Sequence, residues 1–468
     1  MSGGPAADIR GALRVYADAE LDRGRRRSAL GPRREKRPPM ANDTAVTTSM
    51  ANLRAHCSQD VSSTRFWRLT SEQRDETFAR LREREPVSWQ RPVEDAVSPD
   101  PDDPGYWAVV RHTDIVTVSR DHRTFVSGHG VQFDLLPTEV LEMSQSFLAM
   151  DPPRHDRLRR LVSAAFTPKR ISVLDDHVRT AAREVVDGFA RETGEIDFVE
   201  RCAAQLPVRV FADMFGVPYS LRGSVREGAA AIMAWADPES LAGRSPAELQ
   251  MTGCTTLHGI ASELVAWRRK TPTDDLFSGL VHARIDGQQL TDAEIGAFFV
   301  LMAVAGTDTT THTASLTVKA LGDAPDQRDW LLTDYDARIH TAVEEFIRFA
   351  SPVMTFRRTA TRETTLGGQT IQPGEKVVMF YSSGNRDTAA FHEPARLDLS
   401  RNPNPHVGFG GGGIHYCLGN QLARTTLREL FRQLLTRLPD LSAGEPDLLG
   451  TNFMRGVKRL PVTFTPER

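Results

Sequence analysis

Apolar residues recur at intervals of three and four along much of the chain beyond residue 66, and this spacing predicts helices. The clearest predicted helices cover residues 70–85, 153–165, 172–191, 291–321, 339–350 and 418–438. Shorter stretches with β character predict strands at 106–110, 353–359, 375–380 and 460–464. These strands are too few and too scattered for a doubly wound sheet, so the pattern indicates a mainly α fold with small β-sheets.

The longest predicted helix begins at a T-x-x-E capping box formed by Thr291 and Glu294, and Gly322 supplies a stop. Its first half is apolar nearly all round, which indicates a buried helix. The longest apolar run, residues 295–306, is shorter than the roughly twenty residues that a membrane span needs. Midway comes the polar insertion AGTDTT, residues 305–310. Buried polar groups destabilise a fold unless they are paired, so the insertion indicates either a function or a kink satisfied by threonine hydroxyls.

The composition is that of a globular protein, with 40% hydrophobic and 25% charged residues among 468. A net charge of -3 provides no global basic field for nucleic acid. The four cysteines are widely separated and form no C-x-x-C pair, which argues against a disulfide framework or zinc site and fits a reducing cytoplasm. The absence of a linker or a fixed-period repeat predicts one domain over residues 51–468.

Residues 1–50 are rich in arginine and proline and lack the apolar segment of a secretory signal. We expect a disordered basic extension or residues upstream of the true start codon, since Met40 and Met50 are both available. Binding to nucleic acid or to a membrane surface is the alternative for this segment.

The stretch HVGFGGGGIHYCLGNQLAR, residues 406–424, carries the most specific chemistry. Four consecutive glycines imply positive φ angles or a close approach of the backbone to something flat or bulky. Cys417 precedes a predicted amphipathic helix, whose free N–H groups favour a thiolate. A buried structural cysteine is one alternative. A phosphate loop is another, although the GK[ST] ending of such loops is missing.

Phe409, Gly413, His415, Cys417 and Gly419 resemble the haem-binding signature of cytochrome P450 enzymes, in which the cysteine thiolate holds the iron. A common form of that signature has one residue fewer between the phenylalanine and the glycine four before the cysteine. The longer spacing is similar to that of the branch that acts on methyl-branched lipids and sterol side chains. The resemblance covers essentially residue 66 to the C-terminus and implies haem b, iron protoporphyrin IX, as the cofactor.

The resemblance extends to residues 305–310, which match the family's oxygen-activation motif. It implies that Gly306 opens a groove beside the haem and that Asp308 and Thr309 deliver protons to bound oxygen. Taken without the resemblance, the E-x-x-R spacing of Glu345 and Arg348 predicts an ordinary surface ion pair. The likeness implies instead that they brace the haem-side core.

Arg401 is a possible third member of that brace. The stretch DPPRHDRLRRLVSAAFTP resembles the family's propionate-binding helix, whereas its basic residues alone would read as a solvated helix face. Its role transfers to His155 and Arg159, which lie four residues apart. Arg358 and His415 fit the remaining two family positions.

If Thr309 faces the iron, helical spacing places further residues on the same side, and strand alternation does the same for residues near Arg358. These predicted pocket residues are Phe298, Leu301, Met302, Ala305, Met354 and Phe356. The alternative is that these side chains simply pack the core.

The implied function is a monooxygenase that inserts one oxygen atom from O₂ into an apolar lipid, sterol or terpenoid-like substrate. The chain shows no flavin or iron–sulfur segment, so the resemblance implies a separate ferredoxin and an NAD(P)H-dependent ferredoxin reductase. An H₂O₂-using peroxygenase and a non-catalytic haem protein are the rival hypotheses. Neither would need the Asp308 and Thr309 pair, and both positions match the motif.

Overall fold

The computed structural model describes residues 54–468 except positions 135, 137, 145, 166, 167 and 236. The basic extension predicted at residues 1–50 lies outside the described residues. The helices are α1 (Thr64–Trp67), α2 (Ser71–Arg84), α3 (His112–Arg120), α4 (Thr138–Ser144), α5 (Arg154–Ala165), α6 (Pro168–Asp187), α7 (Gln205–Phe215), α8 (Arg222–Met233), α9 (Pro238–Leu241), α10 (Pro246–Lys270), α11 (Leu276–His282), α12 (Asp292–Asp323), α13 (Pro325–Thr333), α14 (Tyr335–Ala350), α15 (Tyr381–Gly384) and α16 (Asn420–Arg437).

The strands are short, as the pattern predicted. They are β1 (Val87–Gln90), β2 (Tyr106–Val109), β3 (Phe125–Val126), β4 (Ile196–Asp197), β5 (Thr355–Ala360), β6 (Thr364–Leu366), β7 (Gln369–Ile371), β8 (Lys376–Phe380), β9 (Ser442–Ala443), β10 (Asp447–Leu448), β11 (Val457–Arg459) and β12 (Pro461–Thr463). The largest sheet has the order β1-β2-β8-β5-β3, in which β2 and β8 run parallel and the other pairs antiparallel. The mainly α fold with small β-sheets is therefore confirmed.

The long helix α12 begins where the sequence predicts, because the Thr291 hydroxyl accepts from the Glu294 N–H while the Glu294 carboxylate accepts from the Thr291 N–H. Its two ends lie in different hydrophobic clusters. Residues such as Phe299 belong to the cluster around α10 and α11, whereas residues such as Leu321 belong to the cluster around α14 and α16. The AGTDTT insertion lies between these two anchored halves.

Packing of its two ends into hydrophobic clusters explains why α12 is so apolar. Among the residues that the structure describes, no helix is both long enough and apolar enough to cross a bilayer.

Candidate active site

A cavity of about 220 Å³ lies where the middle of α12, the strand β5 and the glycine-rich loop before α16 meet. The loop contributes Gly408, Phe409, Gly410, Gly411, Gly412, His415, Tyr416, Cys417, Leu418 and Gly419. The predicted chemistry thus converges on one space, although its parts span more than a hundred residues of the sequence.

The glycine loop packs tightly against α3. Gly413 has a φ of 79°, and a Cβ there would lie 2.5 Å from the carbonyl oxygen of Ser119. A Cβ at Gly411 would lie 2.6 Å from the hydroxyl of the same serine. Gly413 is not among the described residues that line the cavity, and its conformation serves the approach of the loop to α3, so its contact with the cofactor stays a prediction.

Cys417 lines the cavity at the end of this loop. Its N–H donates to the Phe409 carbonyl over 3.1 Å, and its own carbonyl accepts from the Asn420 side-chain amide over 2.7 Å. Burial raises the pKa of the thiol, while the Gly419 N–H and nearby guanidinium groups lower it. The helix α16 begins at Asn420, slightly later than predicted, so the cysteine precedes the helix. Binding to a metal would remove the thiol proton outright.

The middle of α12 presents Gly306 and Thr309 to the cavity. A Cβ added at Gly306 would meet no described atom within 4 Å, so the helix surface there is open. The Thr309 hydroxyl donates back to the Ala305 carbonyl over 2.8 Å. The same back-bonding recurs at Thr307 and Thr311, which satisfies these hydroxyls within the helix.

Asp308 lies beside this open surface, but it is not among the described residues that line the cavity. Its carboxylate accepts from the Thr307 hydroxyl over 3.3 Å. Burial raises its pKa to about 7, against the lowering effect of that hydrogen bond. The acid and the alcohol are therefore not presented side by side, because neighbouring residues of a helix face different directions.

Two arginines, Arg159 and Arg358, line one edge of the cavity together with His415, and we call this the cationic edge. Arg159 donates to the carbonyls of Ile414 and Tyr416 over 2.5 and 2.7 Å. Arg358 is 4% exposed, and burial lowers its pKa. It donates to a backbone carbonyl over 2.7 Å.

Two histidines lie at the same edge of the cavity. The His155 ring lies 4.6 Å from that of His415, behind the cavity wall rather than on it. Nε2 of His155 and Nδ1 of His415 are buried without a hydrogen-bond partner. Burial, followed by repulsion from Arg358, His155 and Arg159, lowers the pKa of His415 to about 2.

These features fit the carboxylates of a haem. Buried guanidinium groups and unpartnered ring nitrogens call for acceptors, and a propionate supplies negatively charged oxygens. Gly410 and Gly419 leave room for a flat ring, because a Cβ at either would meet no described atom within 4 Å. Cys417 is a ligand of the kind that iron accepts. The side chains that fit the group are thus Cys417, Arg159, Arg358 and His415, with His155 behind them.

Glu345, Arg348 and Arg401 form a buried cluster beneath the loop. Arg348 donates to both Glu345 oxygens over 2.7 Å, and Arg401 donates to the same carboxylate over 3.2 Å. Glu345 and Arg348 have no exposed side-chain area. Arg348 also donates to the carbonyls of Asn385 and Pro394 over 2.8 Å. The alternative that Glu345 and Arg348 form a surface ion pair is therefore wrong. The pair is buried and ties α14 to the segment before the glycine-rich loop.

We expect Glu345→Gln to lower the free energy of unfolding by about 3–5 kcal/mol, since it leaves two buried guanidinium groups without their carboxylate. Chemical denaturation of the holoenzyme measures this loss. The control is Asp176→Asn, which breaks an ion pair with Arg179 whose side chains are 78% and 60% exposed. That change should cost less than about 1 kcal/mol. Equal losses in the two variants would contradict a bracing role for Glu345.

Four of the six predicted pocket residues line the cavity, namely Leu301, Met302, Ala305 and Phe356. Two predictions are corrected. Phe298 is 1% exposed and stacks on Phe147, so it lies one layer behind the wall. Met354 precedes β5, and strand alternation does not extend to it. Its side chain packs in the cluster with Trp67 and Phe380.

The cavity has a second wall, whose residues are not among the predicted pocket residues. It consists of Phe147, Leu148, Pro207, Val210, Phe211 and Met214, mostly from α7. The spacing of Pro207, Val210, Phe211 and Met214 is that of one helix face and was a usable signal. The spacing did not indicate, however, that this face of α7 packs against α12.

Comparison with known proteins points to the same family as the sequence motifs do. The family model described as Cytochrome P450 matches residues 251–439. The chain is 38% identical to the methyl-branched lipid omega-hydroxylase of Mycobacterium tuberculosis, over 87% of this chain and 94% of that enzyme. It is 36% identical to the steroid C26-monooxygenase of Mycolicibacterium smegmatis, over 83% of this chain and 90% of that enzyme.

The structural comparison agrees. A cytochrome P450 of Mycobacterium marinum, solved in complex with pseudoionone, superposes with a TM-score of 0.86. The two chains are 54% identical, and the match covers 88% of this chain and 100% of that one.

Proposed function

The chain belongs to the cytochrome P450 family of haem monooxygenases, and we propose that it hydroxylates a lipid, sterol or terpenoid-like molecule. A ferredoxin and an NAD(P)H-dependent ferredoxin reductase supply the electrons in this proposal. The observation that carries the substrate class is the cavity wall away from the cationic edge. There, Val210, Phe211, Met302 and Phe356 present apolar surface from several elements.

The relatives support the same class of substrate. Their names describe a methyl-branched lipid and a steroid, and the structural neighbour holds pseudoionone. All three are apolar compounds. A wall without charged groups favours such molecules, because burying their apolar surface stabilises the complex by roughly 25 cal/mol per Å².

Each proposed role follows from a position in the structure. Cys417 would hold the haem iron through its thiolate, while Arg159, Arg358, His415 and His155 would hold the propionates. When bound, the thiolate-ligated haem supplies the activation and cleavage of O₂. Asp308 and Thr309 would form the proton relay, with Asp308 as the source of protons and Thr309 as a hydrogen-bond acceptor at the cavity wall.

The path of a proton follows from the arrangement around α12. With a pKa near 7, the Asp308 carboxyl both holds and releases a proton close to neutral pH. Thr309 lies on the cavity wall, and its hydroxyl proton is engaged with the Ala305 carbonyl. Its oxygen therefore remains free to accept a hydrogen bond from a group in the cavity. Asp308 acts from behind, through solvent or a helix movement.

A panel of fatty acids, terpenoids and sterols tests the proposal. Binding should shift the Soret band of the holoenzyme for at least one of these compounds, and turnover should require O₂ with ferredoxin, reductase and NAD(P)H. Full turnover with H₂O₂ alone would favour the peroxygenase, and no shift with any apolar compound would contradict the substrate class.

Met302→Gln should weaken binding of the apolar substrate about tenfold, since an unpaired buried amide costs about 1–3 kcal/mol and 1.4 kcal/mol is a factor of ten. The haem spectrum of the substrate-free enzyme should not change. Met251→Gln makes the same chemical change at a half-buried methionine of α10 outside the cavity lining. Equal effects of the two substitutions on the Soret titration would show that Met302 is not part of the substrate wall.

A further inference from the structure

Glu344 is the neighbour of the buried Glu345 on α14, but its carboxylate faces a different set of partners. It accepts from Nε and Nη2 of Arg424 over 2.6 and 2.9 Å. It is also 2.9 Å from Nε2 of His406. Three donors on one carboxylate exceed what an ordinary surface ion pair shows, and the proposed function uses none of these side chains.

The hydrogen bonds continue from Arg424 to the cysteine. Nη1 of Arg424 donates to Oδ1 of Asn420 over 2.6 Å, and Nδ2 of Asn420 donates to the Cys417 carbonyl over 2.7 Å. The Arg424 guanidinium also lies 4.5 Å from the centre of the Phe409 ring. The carbonyl of Phe409 accepts the Cys417 N–H. Both backbone polar groups of Cys417 therefore lead back to Arg424.

Glu344 and Arg424 are both charged at neutral pH. Burial tends to raise the pKa of Glu344, but His406 and Arg424 hold it at about 2. Glu344 in turn raises the pKa of Arg424. The positive charge of Arg424 lies two hydrogen bonds away from the Cys417 carbonyl, through the Asn420 side chain.

We propose that Glu344, Arg424 and Asn420 form a positioning network that sets the reduction potential of the haem through Cys417. A cation beside the thiolate favours the reduced haem, which carries one more negative charge. The carboxylate of Glu344 offsets that cation and holds it in place. The inference rests on the proposed ligation by Cys417.

The test is spectroelectrochemical titration of the holoenzyme. Glu344→Gln keeps the shape of the side chain but removes the negative charge, so the potential should rise. Arg424→Gln removes the cation and should lower it. The double variant should return close to the unaltered enzyme. As control, Asp336→Asn breaks the ion pair with Arg432, which joins the same two helices over 2.6 Å with Asp336 80% exposed.

The opposite signs separate electrostatic tuning from simple packing of α14 on α16. Shifts of both single variants in the same direction, or no larger than that of Asp336→Asn, would overturn the network. If Glu344→Gln does not retain haem, Arg424→Lys replaces it: the lysine keeps the charge and should stay nearer the original potential than Arg424→Gln. Equal potentials for these two would refute the inference.

The carbon monoxide spectrum of the unaltered enzyme reports the ligand separately. If that spectrum lacks thiolate character, the assignment of Cys417 fails, and the network fails with it. A thiolate spectrum with potentials out of the expected order refutes the network alone.

Discussion

Replacement of Cys417 by alanine should abolish monooxygenase activity and the thiolate-type spectrum of the reduced carbon monoxide complex. The reason is geometric as well as chemical. Of the free cysteines in the described chain, Cys202 and Cys254 are buried in hydrophobic clusters, and Cys57 lies beside β1, where its backbone N–H donates to the Trp89 carbonyl. Cys417 alone among them lines the cavity.

Cys57→Ala is the matched control, because it removes a half-buried thiol of the same chain. It should leave the spectrum and the activity unchanged. If Cys417→Ala retained a thiolate spectrum, another ligand would hold the iron, and the proposed site would be wrong. The spectrum is measured beside haem content, so loss of the ligand can be distinguished from loss of the haem.

Thr309→Ala and Asp308→Asn should bind substrate normally but lower the rate of product formation by a factor of about 10² to 10⁴, the usual contribution of a positioned proton donor. The electrons should then appear as peroxide or water, so product per NAD(P)H falls. Thr313→Ala is the control. Its hydroxyl also lines the cavity and also donates to a carbonyl of α12, over 2.8 Å, one turn further along.

The pH dependence of product yield distinguishes the acid from the alcohol. Because burial raises the pKa of Asp308 to about 7, its carboxyl is protonated below that pH and loses the proton above it. Product per NAD(P)H should therefore decline as the pH rises through about 7 in the unaltered enzyme. This step should be missing in Asp308→Asn. An unchanged yield and pH profile in that variant would exclude Asp308 from the relay.

The sequence predicted those parts of the fold that local chemistry determines. The capping box at Thr291 placed the start of α12 to within one residue, since both of its hydrogen bonds form within one turn. The same signal was present at Ser245 and Glu248, and it would have identified α10. The residues of the haem signature were recognisable because their types and spacing are rarely found together.

Tertiary packing explains what the sequence left open. Glu345 and Arg348 have the spacing of an ordinary ion pair, and only the segment folded over them makes the pair buried. The periodicity through Arg358 and Phe356 does not show where β5 begins, so it could not exclude Met354. The direction of Asp308 depends on the rotation of α12, which its neighbours set.

The unpaired nitrogens at the cationic edge connect cofactor supply with the yield of folded protein. Without the cofactor, the buried charge of Arg358 and the unpartnered ring nitrogens of His155 and His415 oppose folding, because burial disfavours that charge and leaves these nitrogens without a hydrogen bond. A ligand that binds only the native chain adds RT ln(1 + [L]/Kd) to its stability. In a cell that makes this polypeptide faster than porphyrin, the excess chains would lack this stabilisation and proteases would degrade them more readily. The abundance of the protein would then follow the supply of iron and porphyrin.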